Sequence, residues 1–206
     1  VWLPANYQKD STKKYPVIYM HDGQNVFNPM TASFGNEWSV DEVLSQLIDK
    51  KKVREAIVVA SSSSKDNRNG EYSFNREGHL YADFIIQNLK PFIDSNFRTL
   101  KKREDTFLMG SSMGALISFT ILWKHSKVFS KAAGLSFPPF AHDDNLFYWL
   151  EKEELPSEKI AFYLDHGTSG QDATYLEHVL RFLEVLRIKG LPEEAYTYKV
   201  FPYADH

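Results

Sequence analysis

Short apolar runs alternate with amphipathic stretches along the whole chain. The runs hold four to six residues and have the length and apolar character of buried β-strands. This alternation predicts an α/β fold in which a mostly parallel sheet is covered by helices on both faces, in one domain over residues 1–206. The predicted strands are residues 15–20, 56–60, 106–109, 132–137, 159–164 and 196–201.

Between these runs, apolar residues recur every three or four positions, as on one face of an α-helix. Such stretches predict helices over residues 39–50, 79–97, 115–122 and 174–189. Pro91 predicts a kink or break in the second helix, and Gly190 is placed to cap the last. The polar stretch 65–70 predicts a long loop at the carboxyl edge of the sheet, where open α/β folds place their sites. The positions expected to face the core are Val40, Val43, Leu44, Leu47, Ile48, Leu80, Phe84, Leu89, Phe92, Ile93, Leu176, Val179, Leu180, Leu183 and Leu186.

Residues 110–114 read G-x-S-x-G between a predicted strand and a predicted helix. This context is that of a nucleophile elbow, in which glycines flank a serine on a sharp turn above the sheet. The start of the helix also points backbone N–H groups at any anion that develops there. Ser112 is therefore the candidate nucleophile, and the alternative is a turn of small residues that packs the helix close to the strand.

A serine nucleophile on such an elbow needs a base and an acid, which follow in the chain order Ser, Asp or Glu, His. Of the seven histidines, His206 follows the predicted last strand by a short loop, whereas the other six lie upstream in predicted helices or loops. His206 is therefore the candidate base. Asp165, Asp172 and Glu177 all follow the fifth predicted strand and are the candidate acids.

The loop after the first predicted strand is where this class of site supplies its second oxyanion donor. Residues 21–25 of that loop read H-D-G-Q-N. We expect the donors to be the backbone N–H groups of Gln24 and Met113, with Gly23 allowing the backbone to turn inward. An ordinary Asp-Gly turn is the alternative interpretation.

Composition narrows the possible partners. The 206 residues carry a net charge of -3, which gives no electrostatic reason to expect nucleic acid or an anionic membrane and favours a small-molecule ligand. The absence of cysteine excludes a disulfide framework, a thiolate zinc site and a cysteine nucleophile. No apolar run approaches the ~20 residues of a membrane span, and no signal-peptide layout is present. Localisation and oligomeric state are left open.

Several histidines and aspartates are of types that bind zinc, but no pair among them has the spacing of a metal motif. We therefore favour solvated loop charges and predict neither a metal nor another cofactor. The residues concerned are His21, Asp22, His142, Asp143, Asp144 and His166.

Taken together, these residues resemble the putative esterase family of α/β-hydrolases, which includes enterochelin-esterase-like enzymes, feruloyl and acetyl-xylan esterases, S-formylglutathione hydrolase and the mycolyltransferases. Relatives usually carry a second glycine at the position of Ala115. They also continue past the histidine into a Trp-containing helix, so we expect this last helix to be missing after His206 and the support of His206 to be weakened. The matching segments are residues 1–4, 7, 21–27, 38, 40–41, 68, 71–72, 89–94, 110–114, 165–168 and 205–206.

The resemblance implies the α/β-hydrolase fold and ester hydrolysis without a cofactor, through an acyl-enzyme on Ser112. It favours Asp172 as the acid, with Asp165 next and a helix-capping role for Asp172 as the alternative. It also implies substrate-binding roles for Trp38, Arg68 and Tyr72 in the wall of the site. The expected substrates are small acyl or carbohydrate-linked esters. A non-catalytic binding module and an acyltransferase to a sugar acceptor remain the other hypotheses.

Overall fold

The computed structural model describes residues 1–33, 35–64, 66–142 and 145–206. Within these ranges, six strands form one sheet in which every neighbouring pair is parallel. The strands are β1 (Val17–His21), β2 (Ile57–Ser61), β3 (Thr106–Ser111), β4 (Lys131–Leu135), β5 (Ala161–Gly167) and β6 (Tyr196–Phe201). Each predicted strand is found within two or three residues of its expected bounds, and the parallel sheet is confirmed.

The strand order places the functional loops side by side. The order across the sheet is β2-β1-β3-β4-β5-β6, so the chain moves outward from β1 to β2 and then crosses back to β3. The direction of winding therefore reverses between β1 and β3. Ligands of open α/β sheets bind in the crevice at the carboxyl ends of the strands at such a reversal. The loop that carries Gln24 leaves β1 there, and the elbow that carries Ser112 leaves β3.

The helices surround this sheet and include two short ones that the sequence pattern did not predict. These two are α2, which lies in the predicted loop 65–70 and just beyond it, and α6; Lys65, where that loop begins, lies outside the described residues. The α-helices are α1 (Val40–Asp49), α2 (Arg68–Glu71), α3 (Arg76–Asp83), α4 (Lys90–Asn96), α5 (Met113–Lys124), α6 (Asn145–Lys152) and α7 (Tyr175–Lys189).

Pro91 lies in a helical stretch that widens before it without breaking. A π-helical segment, Phe84–Leu89, joins α3 to α4, and the Lys90 N–H donates to the Ile85 carbonyl. Proline has no N–H to donate and its ring clashes with the carbonyl four residues earlier. A wider turn at this point provides space for that ring. The predicted kink or break is therefore replaced by a π-helical turn.

The prediction of which apolar face of residues 79–97 enters the core is partly wrong. Leu80, Phe84 and Phe92 are exposed, whereas Ile93 is buried as expected. The side chains that enter the core are those of Tyr81, Ala82, Ile85 and Ile93. Large apolar residues occur on two neighbouring faces of this stretch, and tertiary packing selects the face that includes a tyrosine.

Helices α5 and α7 meet in the largest part of the core. Residues 114–123 of α5 are all buried, as their apolar run predicts. The Phe119 ring lies 5.0 Å from the Phe182 ring and 5.1 Å from the Phe162 ring.

The inward face of α7 was predicted only in part. Val179 and Leu186 are buried, but Leu176 and Leu180 are exposed, so the prediction was wrong for those two. The buried stripe of α7 consists of residues 175, 179, 182 and 186, which have the three- and four-residue spacing of one helix face. Leu176 and Leu180 lie on the neighbouring stripe. Gly190 ends the helix in the left-handed conformation, with φ 89°, which confirms the predicted cap.

Candidate active site

The turn between β3 and α5 holds Ser112 in a strained backbone conformation. Ser112 has φ 55° and ψ -126°, a region that residues with a side chain rarely adopt. Its N–H donates to the Leu135 carbonyl at 2.9 Å, which ties the turn to β4. A Cβ on Gly110 would lie 2.4 Å from the backbone of Gly114, so a side chain at that position does not fit. The geometry is that of the elbow predicted from the G-x-S-x-G motif.

Ser112 also stands at the start of α5 without acting as its cap. Although Ser112 occupies the N-cap position, its side chain makes no capping hydrogen bond in α5, a helix that is described in full. Met113 is the first helical residue, so its N–H has no acceptor within the helix. Ser112 is half-buried, and its hydroxyl and the Met113 N–H both lie at the carboxyl edge of the sheet without a partner within α5.

Asp172 is fully buried in a short 3₁₀ turn, Gly170–Thr174, that follows β5. Its Oδ1 lies 2.7 Å from Nδ1 of His206. Its Oδ2 accepts the Ser136 hydroxyl at 2.8 Å and the Gly167 N–H at 2.7 Å. An Nδ1–H donated to this carboxylate leaves the lone pair of the neutral imidazole on Nε2, which is the tautomer that a general base requires.

The other two candidate acids have different surroundings. Asp165 Oδ1 accepts the backbone N–H of Ser136 at 3.0 Å, and its Oδ2 accepts the Tyr163 hydroxyl at 2.8 Å. Asp165 Oδ1 therefore holds the turn after β4, and Oδ2 is occupied by a hydroxyl of β5 itself. Glu177 is exposed on α7. Of the three carboxylates proposed from sequence, Asp172 is the one in contact with His206.

The loop that carries His206 is fastened to the loop after β5. The Ala204 carbonyl accepts the N–H groups of Thr168 at 3.0 Å and Ser169 at 2.9 Å. Asp205 Oδ1 accepts the Gln171 N–H at 3.0 Å, and the N–H groups of His206 and Gln171 lower the pKa of the Asp205 carboxyl. These hydrogen bonds support the segment that ends at His206, and the expected weakening by a missing helix stays a prediction.

Tyr175 is a second neighbour of His206 that sequence reasoning missed. Its hydroxyl lies 3.3 Å from His206 Nδ1, and burial raises the pKa of Tyr175 to about 12, so the phenol stays protonated. Ser136 was also missed, although it contacts both Asp172 and Asp165. It follows β4 with φ 44°, and its only signal in the sequence is a serine that directly follows an apolar run.

The predicted oxyanion loop leaves β1 as a tight turn. Gln24 is the central residue of the 3₁₀ turn Gly23–Asn25, which the Asn25 N–H closes on the Asp22 carbonyl at 2.8 Å. A Cβ on Gly23 would lie 2.7 Å from the Ala60 carbonyl carbon, so glycine is what allows this turn to press against β2. The structure thus places Gln24 beyond the end of β1, next to the strand from which the Ser112 elbow leaves.

The residues predicted to bind substrate have mixed positions. Tyr72 is fully buried, and its hydroxyl accepts the Asp22 N–H at 3.0 Å; its predicted role in substrate binding stays a prediction. Arg68 pairs with the Asp22 carboxylate, and its predicted contact with substrate stays a prediction. Trp38 is half-buried against Met20, Val26 and Val58, and its role in a pocket also stays a prediction.

The described residues offer neither a cluster of metal ligands nor a helix suited to span a membrane. Asp143 and Asp144, which entered the metal interpretation, lie outside them. In the part of the chain that is described, no three acidic or histidine side chains are grouped as ligands for a metal ion. None of the described helices combines the length and apolar character that a membrane span requires.

The family model described as putative esterase matches residues 1–206, the whole chain. The chain belongs to this family. Among curated proteins it is similar to YbbA of Bacillus subtilis (strain 168), with 23% identity over 149 residues that cover 66% of this chain and 54% of YbbA. The chain spans about half the length of the curated relatives it matches.

Solved structures show the same fold. An IroE-like serine hydrolase from Shewanella oneidensis has a TM-score of 0.77 at 19% identity, covering 100% of this chain and 69% of that one. A ferulic acid esterase has a TM-score of 0.72 at 22% identity, covering 97% and 82%. At these identities the likeness concerns the fold, which is the α/β-hydrolase fold expected from the sequence.

Proposed function

We propose that this protein hydrolyses carboxylic esters through an acyl-enzyme, with Ser112 as nucleophile, His206 as base and Asp172 as the acid that orients His206. The observation that supports this most strongly is the 2.7 Å contact between His206 Nδ1 and the buried Asp172 carboxylate. This pair stands at the same sheet edge as a serine on a strained elbow. A fold alone does not dictate an activity, so the proposal rests on these side chains together with membership of the esterase family.

The chemistry follows from the positions of the donors and acceptors. In the proposed reaction, His206 Nε2 takes the proton of Ser112 Oγ as that oxygen attacks the ester carbonyl carbon. The carbonyl oxygen becomes an oxyanion, which the N–H groups of Met113 and Gln24 stabilise; one such donor contributes about 10²- to 10³-fold to kcat. His206 then returns the proton to the departing alcohol. In the second half of the reaction, His206 Nε2 takes a proton from water as the water oxygen attacks the acyl carbon; the bond from that carbon to Ser112 Oγ then breaks, Oγ regains the proton, and the carboxylic acid is released.

The substrates that we propose are small acyl or carbohydrate-linked esters, bound as small molecules. One of the solved relatives is named a ferulic acid esterase, which supports testing an aromatic acyl group. A cavity of about 640 Å³ lies beside the loop that follows β2, and Tyr81, which lines it, also contacts His21 at the end of β1. The exposed side chains of Leu80 and Phe84 line this cavity as well, so it offers an apolar surface for a bulky group.

The proposal is tested with a panel of aryl acetate, butyrate and ferulate esters. Wild-type protein should hydrolyse at least one of them without added metal, and Ser112→Ala should lower kcat by several orders of magnitude. Ser111→Ala is the matched control, because it removes the neighbouring hydroxyl from the end of β3 and should keep most of the activity. A wild-type protein that turns over none of the esters, or a Ser112→Ala variant that keeps turnover, would contradict the proposal.

A further inference from the structure

Asp22 touches both of the segments that carry the proposed oxyanion donors. It lies between β1 and Gln24 in the left-handed conformation, with φ 55° and ψ 48°. Its carboxylate also lies against the first turn of α5, because a Cβ on Gly114 would be 3.2 Å from Asp22 Oδ2 and 3.4 Å from the His21 Cβ. Gly114 directly follows Met113. A movement of the Asp22 carboxylate would therefore change the position of Gln24 relative to Met113.

The Asp22 carboxylate forms a bidentate ion pair with Arg68. Only 1% of Asp22 is exposed, and a buried carboxylate requires both a counter-charge and hydrogen bonds. Arg68 supplies both, since its Nε donates to Oδ1 and its Nη2 to Oδ2, each at 2.7 Å. The hydrogen bond to Asp22 raises the pKa of Arg68, so the guanidinium stays charged. The rigid guanidinium fork fixes the orientation of the carboxylate as well as its charge.

Two buried tyrosines complete the support of this loop. Tyr72 accepts the Asp22 N–H, and the Arg68 guanidinium carbon lies 5.1 Å from the centre of the Tyr72 ring. The Tyr81 hydroxyl lies 2.8 Å from Nδ1 of His21, and burial lowers the pKa of His21 to about 4, so this histidine is neutral. Helix α2 begins with Arg68 and ends just before Tyr72. This short helix and the residue that follows it therefore present both groups that contact Asp22.

From these contacts we infer that Arg68 is a positioning residue for the oxyanion site. It holds the Gln24 N–H in place through Asp22 and neutralises a carboxylate that lies against the start of α5. Without Arg68, the Asp22 charge would oppose the negative charge of the oxyanion and would be free to accept the N–H groups of the first turn of α5. This inference rests on the proposed function, because it concerns the same site.

Three variants distinguish the effect of the Arg68 charge on turnover from the effect of its bidentate geometry. Arg68→Gln should lower kcat for an aryl acetate by about 10²-fold with KM changed by less than about threefold, because the lost stabilisation is confined to the transition state. Arg68→Lys restores the charge but not the fork, and should recover part of kcat. The double variant Asp22→Asn/Arg68→Gln removes both charges and should be at least tenfold more active than Arg68→Gln alone.

The matched control is the exposed ion pair between Arg54 and Asp105, which has the same 2.7 Å contact. Arg54→Gln should leave both kcat and KM unchanged. Thermal unfolding of every variant shows which of them are folded. If Arg68→Gln does not fold, the inference is tested with Arg68→Lys instead. The lysine still compensates the buried charge of Asp22, and kcat of this variant should be lower than that of the wild type.

The outcomes distinguish this inference from the proposed function. A wild-type protein without esterase activity contradicts the proposed function and this inference with it. Wild-type turnover together with an unchanged kcat in folded Arg68→Gln, or in folded Arg68→Lys if the glutamine variant does not fold, overturns the inference alone. A double variant no more active than Arg68→Gln overturns the part of the inference that assigns a role to the Asp22 charge.

Discussion

Replacing Gly167 by alanine should separate the position of His206 from the stability of the fold. Gly167 is the buried last residue of β5, and its N–H donates to Asp172. A methyl group there would lie 2.1 Å from the Ala204 carbonyl oxygen and 2.6 Å from its carbonyl carbon. Ordinary contact begins near 3.4 Å, so the strand or the loop at 202–206 must shift by about 1.3 Å. The methyl group meets backbone, which cannot move aside by a change of rotamer.

The expected consequence is a loss of turnover. His206 lies two residues after Ala204, and a misplacement of about 1 Å in a catalytic group costs about 10²-fold in rate. We expect kcat of Gly167→Ala for an aryl acetate to fall by about that factor while the protein remains folded. The assay is steady-state hydrolysis at 25 °C with thermal unfolding measured on the same samples.

Gly190→Ala is the matched control for this experiment. Its methyl group would have Leu155 Cδ1, at 4.0 Å, as its nearest neighbour, but φ is +89°, so the change strains the end of α7. It should lower the free energy of unfolding by about 1 kcal/mol and leave kcat unchanged. If folded Gly167→Ala keeps kcat within about threefold of wild type, the packing of the loop at 202–206 does not position His206 and the reasoning is refuted.

Two further predictions concern the acid and the buried histidine. Asp172→Asn should lower kcat by about 10⁴-fold by favouring the wrong tautomer of His206, whereas Asp165→Asn should keep kcat within about tenfold; comparable kcat values for the two variants would contradict the assignment of the acid. Burial lowers the pKa of His21 to about 4, so between about pH 6.5 and 4 this histidine is protonated in the unfolded chain but neutral in the folded protein. Acid therefore favours the unfolded chain. The free energy of unfolding should be unaffected by His21 above about pH 6.5 and should fall by about 3 kcal/mol as the pH is lowered from 7 to 4. Urea unfolding of wild type and His21→Gln at both pH values checks this, and equal losses in the two proteins would show that His21 is not responsible.

Most strands could be predicted from the sequence because they contain a short apolar run bounded by polar residues, whereas β6 includes Thr197 and Lys199 between its apolar positions. The bounds of β6, residues 196–201, agree with the expectation, and the order of elements was sufficient for a parallel sheet. Helix faces were less predictable. Leu80 and Phe84 have the spacing of a buried stripe, yet the core receives Tyr81 and Ile85 one position further on. Spacing alone does not decide between two neighbouring apolar faces, because packing against β-strands distant in the sequence makes the choice.

The candidate site was predictable where a motif is local. Ser112 follows from five consecutive residues, and His206 from its position after the last strand. The contact between Asp172 and Ser136 joins residues 36 apart, and nothing in the local sequence of either residue specifies it. The surroundings of Tyr72 were unpredictable for a similar reason. The family resemblance implied a place in the wall of the site, and the fold buries the side chain, whose hydroxyl contacts the Asp22 loop.

The most direct test of the proposed mechanism is covalent labelling by a serine-directed fluorophosphonate, followed by peptide mass spectrometry. Because only an activated serine reacts rapidly with such a probe, we expect one phosphonyl group on the peptide that contains Ser112. Labelling should disappear in Ser112→Ala and persist in Ser111→Ala. A label on Ser111 or on the serines at positions 61–64, or no label on the folded wild-type protein, would contradict the proposal that Ser112 is the nucleophile.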